Sequence, residues 1–300
     1  MNVLVTGGTG YIGAHLVRLL AMRGDQVAVV DDVKTGNAHR IGTVPLVRLG
    51  LETDAAVDEL IVALRTYQID TVVHFAARKQ VGESVSRPAW YYQQNIAGLA
   101  NLLLAMEETK TRRFLFSSSA AVYASSDSPV TEVSPIGPVS PYGETKLAGE
   151  WLTRDATVAW PLNAVSLRYF NVAGAISSEL GDAAIANLIP MVMEKIVAGE
   201  SPLIFGDDYP TRDGTCIRDY IHVQDVAEAH VAAIDGMNSL DDGYHVFNVG
   251  TGRGASVREI IESVLNVAGA RGVRPRSGLR AGGPPRVGAH LAKIGHVLGW

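Results

Sequence analysis

Two residues near the middle of the chain have the types and spacing to move a proton, Tyr142 and Lys146. They stand at i and i+4, so on a helix they share one face, roughly 6 Å apart. An ammonium beside a phenol favours the phenolate, because a nearby opposite charge stabilises the charged form, and the phenol becomes a usable base near neutral pH. Ser140-Pro141 just ahead reads as an N-cap followed by proline at the first helical position, which predicts the helix. Upstream, the apolar run Arg113–Phe116 predicts a strand that feeds into Ser117-Ser118-Ser119. Taken alone, Tyr-x-x-x-Lys also occurs on solvated helices and specifies no reaction.

A second constellation opens the chain. Val3–Thr6 suits a buried parallel strand and leads into Gly7-Gly8-Thr9-Gly10-Tyr11-Ile12-Gly13. Ile12, Leu16, Leu19 and Leu20 mark one face of a helix ending near Gly24, and Val27–Val30 is a second strand closed by Asp31-Asp32. Strand, glycine loop, helix, strand and acid in this order form a dinucleotide fingerprint. Gly7 and Gly10 let the backbone approach a pyrophosphate whose charge meets the helix N-terminus. An acid at Asp31 suits the adenosine ribose hydroxyls and repels a 2′-phosphate, which favours NAD over NADP.

These groups need a scaffold, and the alternation continues to supply one. Val57, Leu60, Ile61 and Leu64 form a helical stripe, and Thr71–Phe75 is a strand ending in Ala76-Ala77. A helix with Tyr91, Tyr92 and Asn95 follows, then the Arg113 strand, the Tyr142 helix and the strand Ala164–Tyr169. The pattern predicts an α/β fold, a Rossmann-type doubly wound parallel sheet with ligands at the carboxyl ends of its strands. From Asn171 the pattern loosens, which predicts an NAD-binding domain over 1–170 and a smaller C-terminal α/β substrate domain over 171–300. The chain is expected to cross back to the sheet around 219–235 and 244–250.

Composition sets outer bounds. The chain of 300 residues is 47% hydrophobic and 19% charged, an ordinary globular mixture, and its formal charge of −5 offers no basic field for nucleic acid. One cysteine, Cys216, rules out an internal disulfide and suits a reducing compartment. The N-terminal strand lacks the pattern of a signal peptide, and no span for a membrane is predicted, so a cytoplasmic protein is expected. His74 and His222 lie in apolar runs without Cys or carboxylate at ligand spacing, so both read as core histidines and no metal is expected. Arg271–Gly288, dense in Arg, Gly and Pro, reads as a loop for a nucleotide sugar rather than a nucleic-acid patch.

Thr6–Gly13, Phe116–Ser119, Tyr142–Lys146, Arg168-Tyr169-Phe170-Asn171 and Arg218-Asp219-Tyr220-Ile221-His222-Val223 together resemble the UDP-glucose 4-epimerase family. These are extended members of the short-chain dehydrogenase/reductase superfamily, and the resemblance runs from Val3 to Trp300. It implies an isomerase that interconverts UDP-glucose and UDP-galactose through a 4-keto sugar, with tightly bound NAD regenerated in each turnover. Tyr142 would take the proton of the sugar 4-hydroxyl, Lys146 would depress the tyrosine and bond the nicotinamide ribose, and Ser119 would bond the reacting oxygen. The resemblance further implies that Tyr11, Ile12, Asp31, Asp32, Phe75, Ala76, Ala77, Lys79, Asn95, Ser117 and Tyr169 line the NAD. Asn171, Asn187, Leu203, Phe205, Arg218 and Arg280 would anchor the nucleotide sugar. The helices carrying Asn95 and Tyr142 would form a four-helix bundle in a homodimer.

Related chemistries are set apart by residues. The 4,6-dehydratases carry an Asp-Glu pair where this chain has Ala120-Ala121, and uronate epimerases tend to carry a base where Val172–Asn187 holds no Lys or Arg. Three departures from the family stand out: Leu51 and Gly283 replace usual acids, and Val287 replaces a bulky Tyr of some relatives, leaving room for N-acetyl sugars. A 4-epimerase of another nucleotide sugar and a non-catalytic NAD-binding protein are the alternative readings.

Overall fold

The computed structural model describes residues 1–126, 128–270, 275–278 and 285–300. Its first half alternates as the hydrophobic pattern requires: β1 (Asn2–Thr6), α1 (Tyr11–Arg23), β2 (Gln26–Asp31), β3 (Leu46–Arg48), α2 (Ala56–Thr66) and β4 (Thr71–His74). Then follow α3 (Val81–Ser86), α4 (Pro88–Tyr92), a π-helical turn over Gln93–Ala97, α5 (Gly98–Thr109), β5 (Arg113–Ser119), α6 (Pro141–Ala159) and β6 (Asn163–Tyr169). The second half comprises β7 (Asn171–Ala173), α7 (Leu188–Val197), β8 (Leu203–Phe205), β9 (Ile217–His222), α8 (Val223–Gly236) and β10 (Tyr244–Val249). It closes with β11 (Gly254–Ser256), α9 (Val257–Val267), β12 (Arg276–Gly278), β13 (Arg286–Val287) and α10 (Ala292–Leu298).

Seven strands form one sheet in the order β10-β6-β5-β4-β1-β2-β3, every pair parallel. β1 shows why. Val3, Leu4, Val5 and Thr6 are all fully buried, because successive side chains point to opposite faces and both faces are covered by helices. Val3 and Val5 pack with Leu16 and Leu20 of α1 and Val226 and Ile234 of α8, whereas Leu4 packs with Leu60 of α2 and Leu102 and Met106 of α5. Truncating a residue such as Leu4 to Ala would cost about 2–5 kcal/mol. The strand order reverses between β1 and β4, and the crevice at their carboxyl ends is where such sheets take a ligand.

After β6 the chain leaves the sheet and returns to it. β10 pairs with β6 from Tyr244↔Ala164 to Val249↔Tyr169 and forms the edge of the large sheet. Between these strands β9 pairs with β7, β11 and β13, and β8 pairs with β12. α7 and α9 enclose Val192, Ile204, Ile261 and Leu265, and α9 starts on a capping box in which Ser256 and Glu259 bond each other's backbone. Among the described residues no helix is long and apolar enough to cross a membrane.

β5 is longer than the apolar run Arg113–Phe116 predicts. Its pairing with β6 continues to Ser119↔Tyr169, so all three serines are strand residues. Polar residues are tolerated there because each finds a partner within the fold, as described next.

Candidate active site

α6 begins as its sequence demands. The Ser140 side chain accepts from the Gly143 amide at 3.2 Å, and Pro141 occupies the first turn. This places Tyr142 and Lys146 one turn apart, against the carboxyl end of β5. The Ser119 hydroxyl lies beside the Tyr142 phenol. Ser119 Oγ also accepts from the Ala121 amide at 3.1 Å, which leaves its own proton free to point at the phenol oxygen. Lys146, 4% exposed, donates to the Ser117 carbonyl at 2.7 Å and lies 5.1 Å from the centre of the Phe116 ring.

The electrostatics differ from the expectation that Lys146 rules the phenol. Burial pushes the Tyr142 phenol above its ordinary range, and the Ser119 hydrogen bond pulls the other way. Burial also drives the Lys146 amine down from 10.5 to about 8, with Glu150 opposing. Burial and the Ser119 hydroxyl, rather than Lys146, therefore set the direction in which the Tyr142 phenol moves.

Beneath this trio lies a buried polar network. Ser118 Oγ donates to Glu150 Oε1 at 2.5 Å, and Glu150 takes Arg168 through two bonds, Nε at 2.8 Å and a second guanidinium nitrogen at 2.6 Å. Arg168 also donates to the Tyr123 hydroxyl at 3.0 Å, which in turn donates to Asn248 at 2.6 Å. β5, α6, β6 and β10 are thus pinned together by side chains whose charges cancel inside the protein.

The glycine loop sits at the β1/β4 crevice. Gly7 has φ of +72°, and a Cβ there would stand 2.6 Å from the Ala76 amide nitrogen, so the loop needs glycine for both its turn and its approach to β4. Asp31, buried at 8% exposure, accepts from the Thr9 amide at 3.0 Å and the Val33 amide at 2.8 Å, which positions the loop. Tyr11 donates its hydroxyl to the Gly174 carbonyl at 2.5 Å, Ile12 packs on the core, and Lys79 is exposed with its ammonium 5.9 Å from the Tyr11 ring centre. Ala77 is half-buried between Ala76 and the Asn95-held segment. Asn95, in the π-helical turn, accepts from the Arg78 amide at 2.8 Å, and its side-chain amide donates to the Arg78 carbonyl at 3.1 Å and to Thr145 of α6 at 3.0 Å. It joins the loop after β4 to the Tyr142 helix.

The nucleotide-sugar candidates lie in the second half. Asn171 opens β7, exposed, and pairs with Tyr220 of β9, two positions along from Arg218. Arg218 is half-buried and donates to the Ile217 carbonyl at 2.8 Å. Asn187 donates to Asp182 at 2.5 Å at the start of α7. Leu203 and Phe205 are 41% and 42% exposed on one face of β8, while Ile204 between them is buried against α7 and α9. Arg280, with Gly282 and Gly283, lies outside the described residues.

The geometry can now be set beside known proteins. The sequence profile of the NAD dependent epimerase/dehydratase family matches residues 3–250. The chain belongs to that family. It is 41% identical to UDP-glucose 4-epimerase of Halalkalibacterium halodurans over 308 aligned positions, covering 100% of this chain and 90% of the relative. Among solved structures it is similar to UDP-glucose 4-epimerase from Brucella ovis in complex with NAD, at 40% identity and a TM-score of 0.91 over 100% of this chain and 92% of that one. The enzyme from Bifidobacterium longum in complex with NAD⁺ and UDP gives 37% identity and a TM-score of 0.91 over 100% and 93%.

This epimerase/dehydratase fits the cofactor of its family. α1 starts at Gly10 with no side-chain cap and no acid in its first turn, so its leading amides remain available to an anion. The Gly7 cradle, which any Cβ would fill, lies in front of them. Asp31 keeps a further acceptor site on each oxygen beyond its two backbone bonds, as a ribose diol requires.

The histidines sort differently from expectation. His74 is buried, with Nδ1 2.7 Å from the Thr6 hydroxyl. His222 is not a core residue: it is exposed and caps α8, accepting from the Gln224 amide at 3.2 Å, because it stands at the turn between β9 and the helix. His230 went unsuspected. Its Nδ1 faces the Val226 carbonyl at 2.8 Å and so carries the proton, leaving Nε2 to accept from Ser117 Oγ at 3.2 Å. It also lies against Phe75, ring centres 4.7 Å apart, and thus supports the floor of the candidate cofactor site. A lone histidine among alanines on a helix carries no sequence signal for this position.

Proposed function

We propose that this chain is a UDP-hexose 4-epimerase, an isomerase that interconverts UDP-glucose and UDP-galactose with resident NAD. The reading rests on one observation above the others: Ser119, Tyr142 and Lys146 converge at the carboxyl end of β5, in a chain alike over its whole length to UDP-glucose 4-epimerases. Tyr142, as phenolate, takes the proton of the sugar 4-hydroxyl, and the Ser119 hydroxyl stabilises the phenolate before that proton arrives. Lys146, held by Ser117 O, keeps two further N–H groups for the nicotinamide ribose. NAD, held by the glycine loop, Asp31 and Lys146, would supply the hydride acceptor and donor that oxidation and re-reduction of the sugar at C4 require. Tyr142 then gives its proton back. Ala120 and Ala121 can neither give nor take a proton, so elimination of water finds no acid–base pair beside the trio.

Residues 1–170, with the returning segments around 219–235 and 244–250, are assigned to NAD and the rest of 171–300 to the nucleotide sugar, with Asn171, Asn187, Leu203, Phe205, Arg218 and Arg280 as the anchor. An arginine suits a diphosphate because its guanidinium meets two oxygens at once. Val287, paired with Arg218 on β9, favours acceptance of N-acetyl hexoses as a second substrate set. Tyr92, Leu104, Trp151 and Val158 leave large apolar surface exposed on α4, α5 and α6, which supports a homodimer through these helices in the cytoplasm.

An NMR time course of the purified protein, without added cofactor, tests the reading with UDP-glucose, UDP-N-acetylglucosamine and UDP-glucuronate in separate tubes. Appearance of the 4-epimer without net NADH is expected with UDP-glucose. Inertness toward all three by a protein that contains NAD would overturn it.

A further inference from the structure

Arg78 stands in the loop after β4 and Asp32 at the end of β2, the two strands that flank β1. Their side chains meet at 2.5 Å between a guanidinium nitrogen and Asp32 Oδ2, both largely buried, so the pair bridges the carboxyl ends of β2 and β4 across the mouth of β1. It is part of a closed ring. Arg78 Nε donates to Gln94 Oε1 at 3.2 Å, and Gln94 in turn lies beside the Glu52 carboxylate. Lys34 returns the chain of contacts from Glu52 to Asp32, its ammonium 3.5 Å from each carboxylate. Two anions and two cations leave the ring without net charge.

The ring also answers a question raised by Leu51. That side chain is buried at 6% exposure in the core with Leu60 and Leu102, so it cannot present polar atoms to a ligand at the end of β3. The acid one residue on, Glu52, turns instead into the ring. Asp31 is already committed to positioning the glycine loop, so Asp32 is free to serve as the fixed end of the bridge. Asn95 secures the other end by gripping both peptide groups of Arg78.

We infer that the Asp32–Arg78 pair, braced by Gln94, Glu52 and Lys34, is a clasp that retains the adenosine half of the dinucleotide, with Arg78 as its closing residue. The inference rests on the NAD site described above. In doubly wound sheets the adenosine ribose lies at the carboxyl end of β2, where Asp32 holds one end of this bridge, so the bridge stands beside the adenosine half of a bound dinucleotide. A cofactor regenerated in every turnover gains from slow release, and a salt link across the exit supplies it without touching the reacting atoms.

The test is release of NAD from the holoenzyme, followed as protein-bound dinucleotide remaining after dilution into an NAD-consuming trap, for the wild type and Arg78→Leu. Release from Arg78→Leu is expected to be about tenfold faster, a change of the size one lost ion-pair contact makes. Arg78→Lys keeps a cation opposite Asp32 and should stay within about threefold of wild type. It carries the test where Arg78→Leu fails to fold. An Arg78→Leu protein that releases NAD within twofold of wild type, or an Arg78→Lys protein that releases it as fast as the tenfold expected of Arg78→Leu, overturns the clasp alone. A wild-type protein that neither contains NAD nor takes it up overturns the site assignment as well.

Discussion

Lys146 gives a hydrogen bond to the backbone oxygen of Ser117, 2.7 Å away and 29 residues earlier in the chain. The contact fixes the amine against β5 in a place with little water, and two consequences can be measured.

The first concerns stability. Lys146 titrates near 8 in the folded protein, against 10.5 for an ordinary lysine. Between these values the unfolded chain binds the proton that the native one has lost, so wild-type stability gains from rising pH over that interval. Lys146→Met removes this proton-linked contribution. Urea midpoints at pH 7.5 and pH 10 should therefore show the wild type gaining roughly 2 kcal/mol relative to the variant. Parallel shifts in both proteins would refute the assignment.

The second concerns the base. Ser119 supplies the hydrogen bond that lowers the Tyr142 phenol against the effect of burial. Ser119→Ala should move the ascending limb of the kcat/KM profile to higher pH by about one unit, since a hydrogen bond to a charged group is worth about 1.5–3 kcal/mol. Tyr142→Phe should cost about 10²–10⁴ in kcat while the protein still contains NAD. A limb unmoved in Ser119→Ala would mean that the hydroxyl does not tune the base.

Acid should loosen the protein through two histidines. Burial holds His74 down to about 3, aided by the charge of Lys146, and His230 down to about 4. Both are neutral in the fold, and below about 6.5 the unfolded chain takes up protons that the native chain refuses. Stability is expected to fall as pH drops from 6.5 toward 4, by roughly 2 kcal/mol per histidine at pH 5. Urea midpoints for His230→Gln between pH 7.5 and 5 should decline less than those of the wild type. An equal decline would assign the acid sensitivity elsewhere.

The Glu150–Arg168 pair should be costly to break and cheap to replace. Glu150→Ala strands a buried guanidinium and a Ser118 hydroxyl, for a predicted loss of about 3–5 kcal/mol in chemical unfolding. The double variant Glu150→Leu with Arg168→Met should recover most of that, because desolvating two charges returns little net stability. A double variant no better than the single would show that the network, and not the charge, is what the site needs.

The sequence by itself determined whatever lies within a few residues. The glycine run with Asp31 after the next strand, Ser140-Pro141 ahead of Tyr142, the i, i+4 partner Lys146 and the alternation of buried strands and striped helices are local patterns, and chain geometry converts each directly into structure. Together they were enough for the parallel sheet and the position of Tyr142 and Lys146. Strand order decided the rest. The bonds of Asp32 to Arg78, Arg168 to Glu150 and His230 to Ser117 join residues 46, 18 and 113 positions apart, and none exists until β2, β4, β5 and β6 take their places and α8 packs beneath. His222 shows the same limit on a small scale: its apolar neighbours Ile221 and Val223 are buried, yet the turn between β9 and α8 carries its own ring to the surface. Spacing could place Lys146 beside Tyr142, but only the packed structure could tell how much water remains around them. That burial, more than the identity of the neighbours, pushes the Tyr142 phenol up and the Lys146 amine down.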